Sequence, residues 1–218
     1  HPCHAAFVHP RLGGDEDRGR GDFNRTDLVN YLMNNPAETG GTKIAQINIV
    51  GDIVDGEAEP GVAGGDTISR LIGQAIEDDD VKALVVRVDS PGGSAMASEK
   101  IRLALAEAQT KKLPVIVSMA NLAASGGYWV SMASDRIFAE PSTITGSIGV
   151  FGIFPTFEKA IANYGVSTDG VKTTQLSGQP DLLSGTNPET DRLIQAGVED
   201  IYRRFLSLVS ANRNIPVE

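Results

Sequence analysis

Histidine and cysteine are almost absent from this sequence. Its three histidines and its single cysteine all lie within the first ten of 218 residues: His1, Cys3, His4 and His9. The rest of the chain therefore holds no Ser-His-Asp triad, no cysteine nucleophile, no disulfide and no metal site built on histidine or cysteine. A hydrolase of the α/β-hydrolase type is excluded unless a partner supplies the histidine. Catalysis by the body of the chain must use other groups.

Two further absences narrow the function classes. The chain has 19 basic against 28 acidic residues, a net charge of -9, whereas a nucleic-acid binder needs a basic face. No apolar run approaches the roughly 18 residues of a membrane span, and the first residues lack the basic-then-apolar pattern of a signal peptide. With 41% hydrophobic and 22% charged residues, the composition is that of a globular domain.

The first part of the chain differs from the rest. Residues 1–22 are predicted to be a flexible or non-native lead-in, because residues 11–22 are charged and rich in glycine. The same composition favours a non-native end over a metal cluster of the histidines and the cysteine. No metal site is therefore expected. Asn34–Thr42 is predicted to be a linker.

From residue 43 onward, strands and helices alternate. Hydrophobic patterning predicts strands over 43–50, 83–88, 113–118, 136–139, 148–151 and 166–172. Helical spacing and start signals predict helices over 66–77, 95–109, 126–134, 157–163 and 189–212. This order of repeated βαβ units predicts an α/β fold, a mostly parallel sheet with helices packed around it. Ligands bind such sheets beyond the carboxyl ends of the strands.

Ser125, in the segment NLAASGGYW, follows a predicted strand at the start of a helix. Small neighbours let a substrate backbone approach, and free N–H groups at a helix start suit a nucleophile whose attack creates an oxyanion. The alternative is that Ser125 only caps the helix. The segment is not the G-x-S-x-G elbow, because Ala123 stands at the first glycine position.

A second turn, DSPGGS over residues 89–94, follows the neighbouring strand. Its Gly92-Gly93 pair exposes backbone N–H groups that could hold an oxyanion, while Ser90 and Ser94 are interpreted as caps. Because consecutive parallel strands end at the same edge of a sheet, one turn could supply a nucleophile and the other an oxyanion donor.

Three segments carry a resemblance to a known family. RVDSPGGSAMASEKI, then ANLAASGGYWVSMASDRIFAEPSTITGSIGVFG, then GVSTDGVKT resemble the signal peptide peptidase A family (SppA, protease IV), over about residues 43–212. The resemblance implies a ClpP/crotonase-like architecture and a Ser–Lys dyad. It implies that Ser125 is the nucleophile, that the N–H groups of Gly93 and Gly126 form the oxyanion hole with Gly92 adjacent, and that Pro141–Gly152 lines the substrate groove.

The general base of that dyad is not obvious. In short family members the lysine lies in a segment matching Thr173–Gly178, which reads TTQLSG here. Of the seven lysines, Lys172 is the nearest to that place. The alternative is the long, two-repeat form of the family, in which the C-terminal repeat supplies the serine and the N-terminal repeat the lysine. On that interpretation 23–42 is the connector between repeats, and 43–218 is an SppA-like peptidase domain truncated at its C-terminus that lacks the base when isolated.

The resemblance predicts a serine endopeptidase that degrades signal peptides or other apolar peptides, without a cofactor. It implies association with the bacterial inner membrane, a catalytic domain on the periplasmic side with the anchor outside this chain, and a ring-like homo-oligomer. Two alternatives stay open. One is a non-catalytic scaffold repeat in which Ser125 is only a cap. The other is a crotonase-like acyl-CoA enzyme with Glu140 as the nearest acid.

Overall fold

Residues 1–42 and 43–218 form two separate units. This computed structural model describes residues 41–217 together with Phe7–Val8 and Arg25–Thr26. In the first unit, strand β1 (Phe7–Val8) pairs antiparallel with strand β2 (Arg25–Thr26). The histidine and cysteine positions of the predicted lead-in, and the predicted connector apart from β2 and residues 41–42, lie outside the described residues.

The second unit is organised by a parallel sheet. Its strands are β3 (Lys43–Val50), β4 (Ile53–Val54), β5 (Ala63–Gly64), β6 (Val81–Ser90), β7 (Val115–Ala124), β8 (Arg136–Phe138) and β9 (Ile144–Gly146). The main sheet has the order β3-β6-β7-β8, with β9 also paired to β7, and every pairing within it is parallel. β4 and β5 form a separate parallel pair. The predicted α/β fold with a mostly parallel sheet is confirmed.

Helices connect these strands. They are α1 (Gly65–Glu77), α2 (Ala95–Thr110), α3 (Gly126–Ser131), α4 (Glu158–Ala162) and α5 (Pro188–Arg213). As predicted, Ser94 caps α2, since its hydroxyl accepts a hydrogen bond from the Ala97 N–H at 3.2 Å. Asn187 caps α5 in the same way, with Pro188 at the first helical position.

The core lies between one face of the sheet and helices α1 and α2. Alternate residues of β6 and β7 have no exposed surface, among them Leu84, Val86 and Val117. They pack in one cluster with Ile72 of α1 and with α2 residues such as Ile101. Burying each of these side chains favours folding by roughly 1.5–3 kcal/mol. This layer therefore holds β6 and β7 side by side, with their carboxyl ends at the same edge of the sheet.

β7 is longer than predicted, and this positions the site. The sequence pattern predicts that the strand ends at Ser118, but the structure extends it to Ala124. Its first half pairs with β8, and its last three residues, Leu122–Ala124, pair with β9. Asn121–Ala124 is therefore a strand that leads directly into Ser125.

Two predicted strands are wrong. Residues 148–151 and 166–172 adopt no strand, although both are rich in β-branched residues. Their side chains are mostly exposed, Val171 completely so, and among the described residues they pair with no strand. β propensity alone is insufficient because a strand is stabilised by cross-strand neighbours. The predicted helix over 157–163 is present as α4, and the predicted helix over 189–212 is present as α5.

In the described part of the chain, no helix combines the length and the apolar character that crossing a bilayer requires.

Candidate active site

Ser125 occupies a strained turn between β7 and α3. Its backbone has φ +50° and ψ −117°, a conformation that costs a residue with a Cβ about 1–3 kcal/mol. The turn is held by two hydrogen bonds of 2.9 Å: the Ser125 N–H donates to the Gly146 carbonyl, and the Ser125 carbonyl accepts from the Trp129 N–H. Ser125 stands at the N-cap position, but its hydroxyl makes no capping hydrogen bond. The half-buried hydroxyl is therefore left available for another partner.

The turn after β6 requires glycine at positions 92 and 93 because of its backbone conformation. Gly92 has φ +102° and Gly93 has φ +146°, which residues with a Cβ rarely adopt. The Gly92 N–H donates to the Ser90 hydroxyl at 3.1 Å. The Gly92 carbonyl accepts from the Ile53 N–H at 2.8 Å, and the Ile53 carbonyl accepts from the Ser94 N–H at 2.8 Å. These bonds fix the turn from both sides.

The two turns lie in direct backbone contact. A Cβ atom built on Gly92 would lie 2.5 Å from the backbone nitrogen of Gly126 and 2.8 Å from the Cβ of Ser125. A Cβ built on Gly126 would lie 3.2 Å from the backbone nitrogen of Gly93. The structure thus brings together the four residues that the sequence singled out: Ser125, Gly92, Gly93 and Gly126.

The backbone N–H groups of Gly93 and Gly126 find no acceptor in the described part of the chain. Within residues 41–217, neither of them makes a hydrogen bond to another group of the protein, whereas the Gly92 N–H is engaged by Ser90. Gly126 is the first residue of α3, where an N–H has no partner within the helix. Two adjacent unsatisfied N–H donors beside a serine hydroxyl form the arrangement that stabilises an oxyanion.

A cavity of about 500 Å³ opens onto these groups. Its floor contains Trp129 and Phe205, whose ring centroids lie 4.8 Å apart at an interplanar angle of 51°. One wall is formed by the segment after β9, which belongs to the stretch Pro141–Gly152 that the resemblance assigns to the substrate groove. The full lining is Asp52, Pro91, Gly92, Gly93, Ala95, Ser98, Ser125, Gly126, Trp129, Ser147, Gly149, Val150, Phe151, Ile201 and Phe205.

This cavity contains no basic side chain among its lining residues. Lys172 lines a different cavity, formed with residues 173–175 and with the start of α5, and its side chain is exposed. The structure therefore does not bring Lys172 and Ser125 to one cavity. Glu140, the acid of the acyl-CoA alternative, is exposed and does not line the Ser125 cavity either. No group of three or more metal-ligating side chains is found among the described residues.

Two lining residues, Phe205 and Asp52, were not predicted from the sequence. Phe205 comes from α5, about eighty positions after Ser125, and the sequence indicated only that it lies in a helix. Asp52 follows the end of β3, where no local pattern indicated a role in the site. Both reach the cavity through the tertiary fold. Ser147 lies in the predicted groove segment, but its φ of +48° was not predicted because the residue is not a glycine.

A partly buried ionic network supports Trp129 at the cavity floor. The carboxylate of Glu99 accepts a hydrogen bond from the Trp129 indole N–H at 2.7 Å and two from the guanidinium of Arg102 at 2.7 and 2.8 Å. Partial burial acts to raise the pKa of Glu99, but the hydrogen bonds from Arg102 and Trp129 outweigh it and hold the pKa below its ordinary value. The network fixes the orientation of the Trp129 ring.

Comparisons with known proteins find similar peptidases. The chain is 47% identical to Protease 4 of Salmonella typhi over 192 residues, covering 88% of this chain and 31% of that protein. It is 49% identical to Protease 4 of Haemophilus influenzae, covering 79% of this chain and 28% of that protein. It is 36% identical to the chloroplastic serine protease SPPA of Arabidopsis thaliana, covering 65% of this chain and 21% of that protein. The chain thus spans about a third or less of these relatives.

A structural comparison finds a ClpP1 mutant from Listeria monocytogenes, with a TM-score of 0.45 and 13% identity over 77% of this chain and 71% of that one. The model of peptidase family S49 matches residues 107–218, a range that includes Ser125 and Gly126 and amounts to half of the sequence. By that match, the chain belongs to peptidase family S49.

Proposed function

We propose that this chain supplies the nucleophile and the oxyanion hole of a serine peptidase. The observation that carries the proposal is the contact between the strained Ser125 turn and the N–H groups of Gly93 and Gly126, which lie at one cavity and have no acceptor among the described residues. Membership of a peptidase family supports it. A capping role for the Ser125 hydroxyl has no support in the hydrogen bonding of α3.

The proposed reaction uses Ser125, the two N–H groups and a neutral amine that acts as the base. A neutral amine removes the proton of the Ser125 hydroxyl as its oxygen attacks the scissile carbonyl, and the carbonyl π electrons move onto the oxygen. The Gly93 and Gly126 N–H groups donate to that oxyanion. Collapse of the intermediate expels the amine of the leaving peptide, which takes the proton from the protonated base, and water then cleaves the acyl-enzyme by the reverse sequence of proton transfers.

The base in this proposal is a lysine from another repeat of a longer protein. No lysine lines the Ser125 cavity, and the body of the chain has no histidine. A lysine has an unperturbed pKa of about 10.4, so it must be desolvated to act as a base near neutral pH. Lys172 is exposed and lines another cavity, which favours the lysine of an N-terminal repeat over this residue.

The proposed substrates are apolar peptides, signal peptides among them, bound in extended form. Residues 148–156 include Gly149, Val150 and Phe151 of the cavity wall. Within the described residues, the backbone groups of this segment make no hydrogen bond to other parts of the backbone. Their side chains include Phe151 and Ile153, which are 86% and 84% exposed. An extended peptide could pair with such a backbone and cover these apolar side chains.

The remaining parts of the proposal rest on the family alone. They are association with the bacterial inner membrane, a catalytic domain on the periplasmic side with an anchor outside this chain, and a ring-like homo-oligomer. Protease accessibility in spheroplasts tests the side of the membrane, and the mass of the purified assembly tests the oligomer.

An activity-based probe tests the nucleophile. An alkyl fluorophosphonate should label the full-length protein at one site, found by peptide mapping at Ser125, and Ser125→Ala should abolish both labelling and peptide cleavage. Ser134→Ala removes a serine outside the cavity and should retain both. Lys172→Met should also retain both if the other repeat supplies the base. Cleavage that survives Ser125→Ala would overturn the proposal, and a scaffold repeat predicts neither labelling nor any loss of activity.

A further inference from the structure

Asp52 is the only ionisable residue among those that line the Ser125 cavity. The other lining residues are apolar or neutral, and they include Trp129, Val150 and Phe151. In the part of the chain described by the structure, the Asp52 carboxylate makes no ion pair, although Lys43, Arg70 and Lys100 all pair with other carboxylates. Asp52 is exposed at the edge of the cavity, so water solvates its carboxylate in the free protein, and a cation bound in the cavity could replace that water.

The position of Asp52 is fixed by its backbone. The Gly51 N–H donates to the Asp89 carbonyl at 2.9 Å, and the Asp52 carbonyl accepts from the Ala63 N–H at 2.9 Å. The next residue, Ile53, is bonded on both sides to the turn that contains Gly92 and Gly93. Asp52 is therefore attached to the same rigid frame as the oxyanion donors, which reduces the cost of binding a partner there.

We infer that Asp52 is a specificity residue that binds the ammonium or guanidinium group of a lysine or arginine side chain close to the bond that is cut. The inference rests on the proposed peptidase function. A lysine or arginine side chain suits this cavity because its aliphatic stem can lie along apolar surface while its charged end reaches a carboxylate at the edge. A neutral peptide would leave the Asp52 carboxylate partly covered and unpaired, which is unfavourable.

A different role, pairing with the catalytic lysine, is disfavoured by electrostatics. A carboxylate beside a lysine stabilises the protonated form and raises its pKa. A lysine that must be neutral to accept the serine proton needs the opposite environment. The cation that Asp52 binds is therefore better placed on the substrate than on the base.

Matched peptides test the inference in the full-length peptidase. Two N-acetylated peptides differ only in carrying lysine or norleucine, an uncharged residue of similar length, and the substitution is moved through the positions around the cleaved bond. At one position the kcat/KM for the lysine peptide should exceed that for the norleucine peptide by about tenfold, the value expected of a hydrogen bond to a charged group. Asp52→Asn should remove this ratio, and Asp52→Lys should reverse it in favour of a glutamate peptide.

Glu59→Gln is the matched control. It removes the same charge from the same loop, but Glu59 does not line the cavity, so the lysine preference should persist. Loss of the preference in both variants would show general attraction by the acidic protein and overturn the inference. A lysine preference that survives Asp52→Asn would also overturn the inference. The same holds if the preference is absent with the N-acetylated peptides and appears only with peptides whose amino terminus is free.

A binding measurement separates this inference from the proposed function. The affinities of the two peptides for the Ser125→Ala protein can be compared without any chemistry. Tighter binding of the lysine peptide that is lost in the double variant Ser125→Ala, Asp52→Asn supports the role of Asp52 even if Ser125 is not the nucleophile. Equal affinities in both proteins, together with equal kcat/KM values in the parent enzyme, would overturn it.

Discussion

Gly92 lies so close to the backbone of α3 that a Cβ atom on it would stand 2.5 Å from the nitrogen of Gly126. Real Cβ atoms do not approach backbone nitrogens to this distance, so the contact requires glycine at position 92. Gly126 carries one of the two N–H groups that lack an acceptor within residues 41–217, and Gly93, which carries the other, is the next residue after Gly92. A single close approach therefore sets the relative position of these two N–H groups and of Ser125.

Gly92→Ala should impair the site through this contact. The new methyl group would push the Gly126 nitrogen away, and the φ of +102° would be strained for alanine. We expect kcat to fall at least about 100-fold, the usual cost of losing an oxyanion donor, and stability to fall by about 1–3 kcal/mol.

Peptidase assays and denaturant unfolding measure the two effects. Gly73→Ala is the control, because Gly73 lies within α1 and a Cβ there would meet no atom within 4 Å. It should retain full activity and gain a little stability. Near-normal activity of Gly92→Ala would contradict the importance of the contact.

The strain at Ser125 can be measured apart from catalysis. Ser125→Gly and Ser125→Ala both remove the hydroxyl, but only glycine relieves the φ of +50°. The glycine variant should be more stable than the alanine variant by about 1 kcal/mol. At Ser207, which lies within α5, the order should be reversed by about the same amount because glycine weakens a helix. Equal stabilities of the two variants at position 125 would mean that the turn is unstrained.

Phe205 should couple the last helix to the cavity. Its ring is 2% exposed and packs against Trp129 with centroids 4.8 Å apart. Phe205→Ala should cost about 3–5 kcal/mol in denaturant unfolding, the usual cost of removing a buried aromatic ring. Leu193→Ala changes a 61% exposed side chain on the same helix and should cost less than about 1 kcal/mol. Similar costs for the two variants would show that Phe205 is not anchored in the core.

Glu99 should make stability depend on pH. Its pKa is held below the ordinary value in the folded protein, so the unfolded chain binds a proton more readily. The stabilisation is therefore present above the unfolded pKa of about 4.3 and is lost as pH falls through the lower folded pKa.

Glu99→Gln tests this dependence. The variant should be less stable than the parent by about 1–3 kcal/mol at pH 7, and the difference should shrink as the pH falls below about 4. Denaturant unfolding at pH 7, 4 and 3 measures it. Glu107→Gln changes a glutamate on the same helix with a 60% exposed side chain and should differ little from the parent at pH 7. A Glu99→Gln deficit that stays constant with pH would exclude the ionic origin.

Much of the site was predictable because local patterns dictate it. Apolar runs of strand length predicted β6 and the start of β7, and Ser125 and both glycine pairs follow these strands or their extension. Because parallel neighbours end at the same edge, the pattern also predicted that the two turns would share one side of the sheet. The predicted strands over 148–151 and 166–172 failed because strand formation depends on a partner, which a local pattern does not describe.

The sequence by itself determined which chemistry is possible. Because no histidine follows position 9, the body of the chain supplies no histidine for a triad with Ser125. Only the tertiary structure decided which groups meet. It placed the N–H groups of Gly93 and Gly126 together, left them without acceptors among the described residues, and put Lys172 at a different cavity. The type of a residue sets the reactivity of its own groups. Which groups lie close together, and which N–H groups remain free to bind a ligand, depends on the packing of segments that are far apart in the chain.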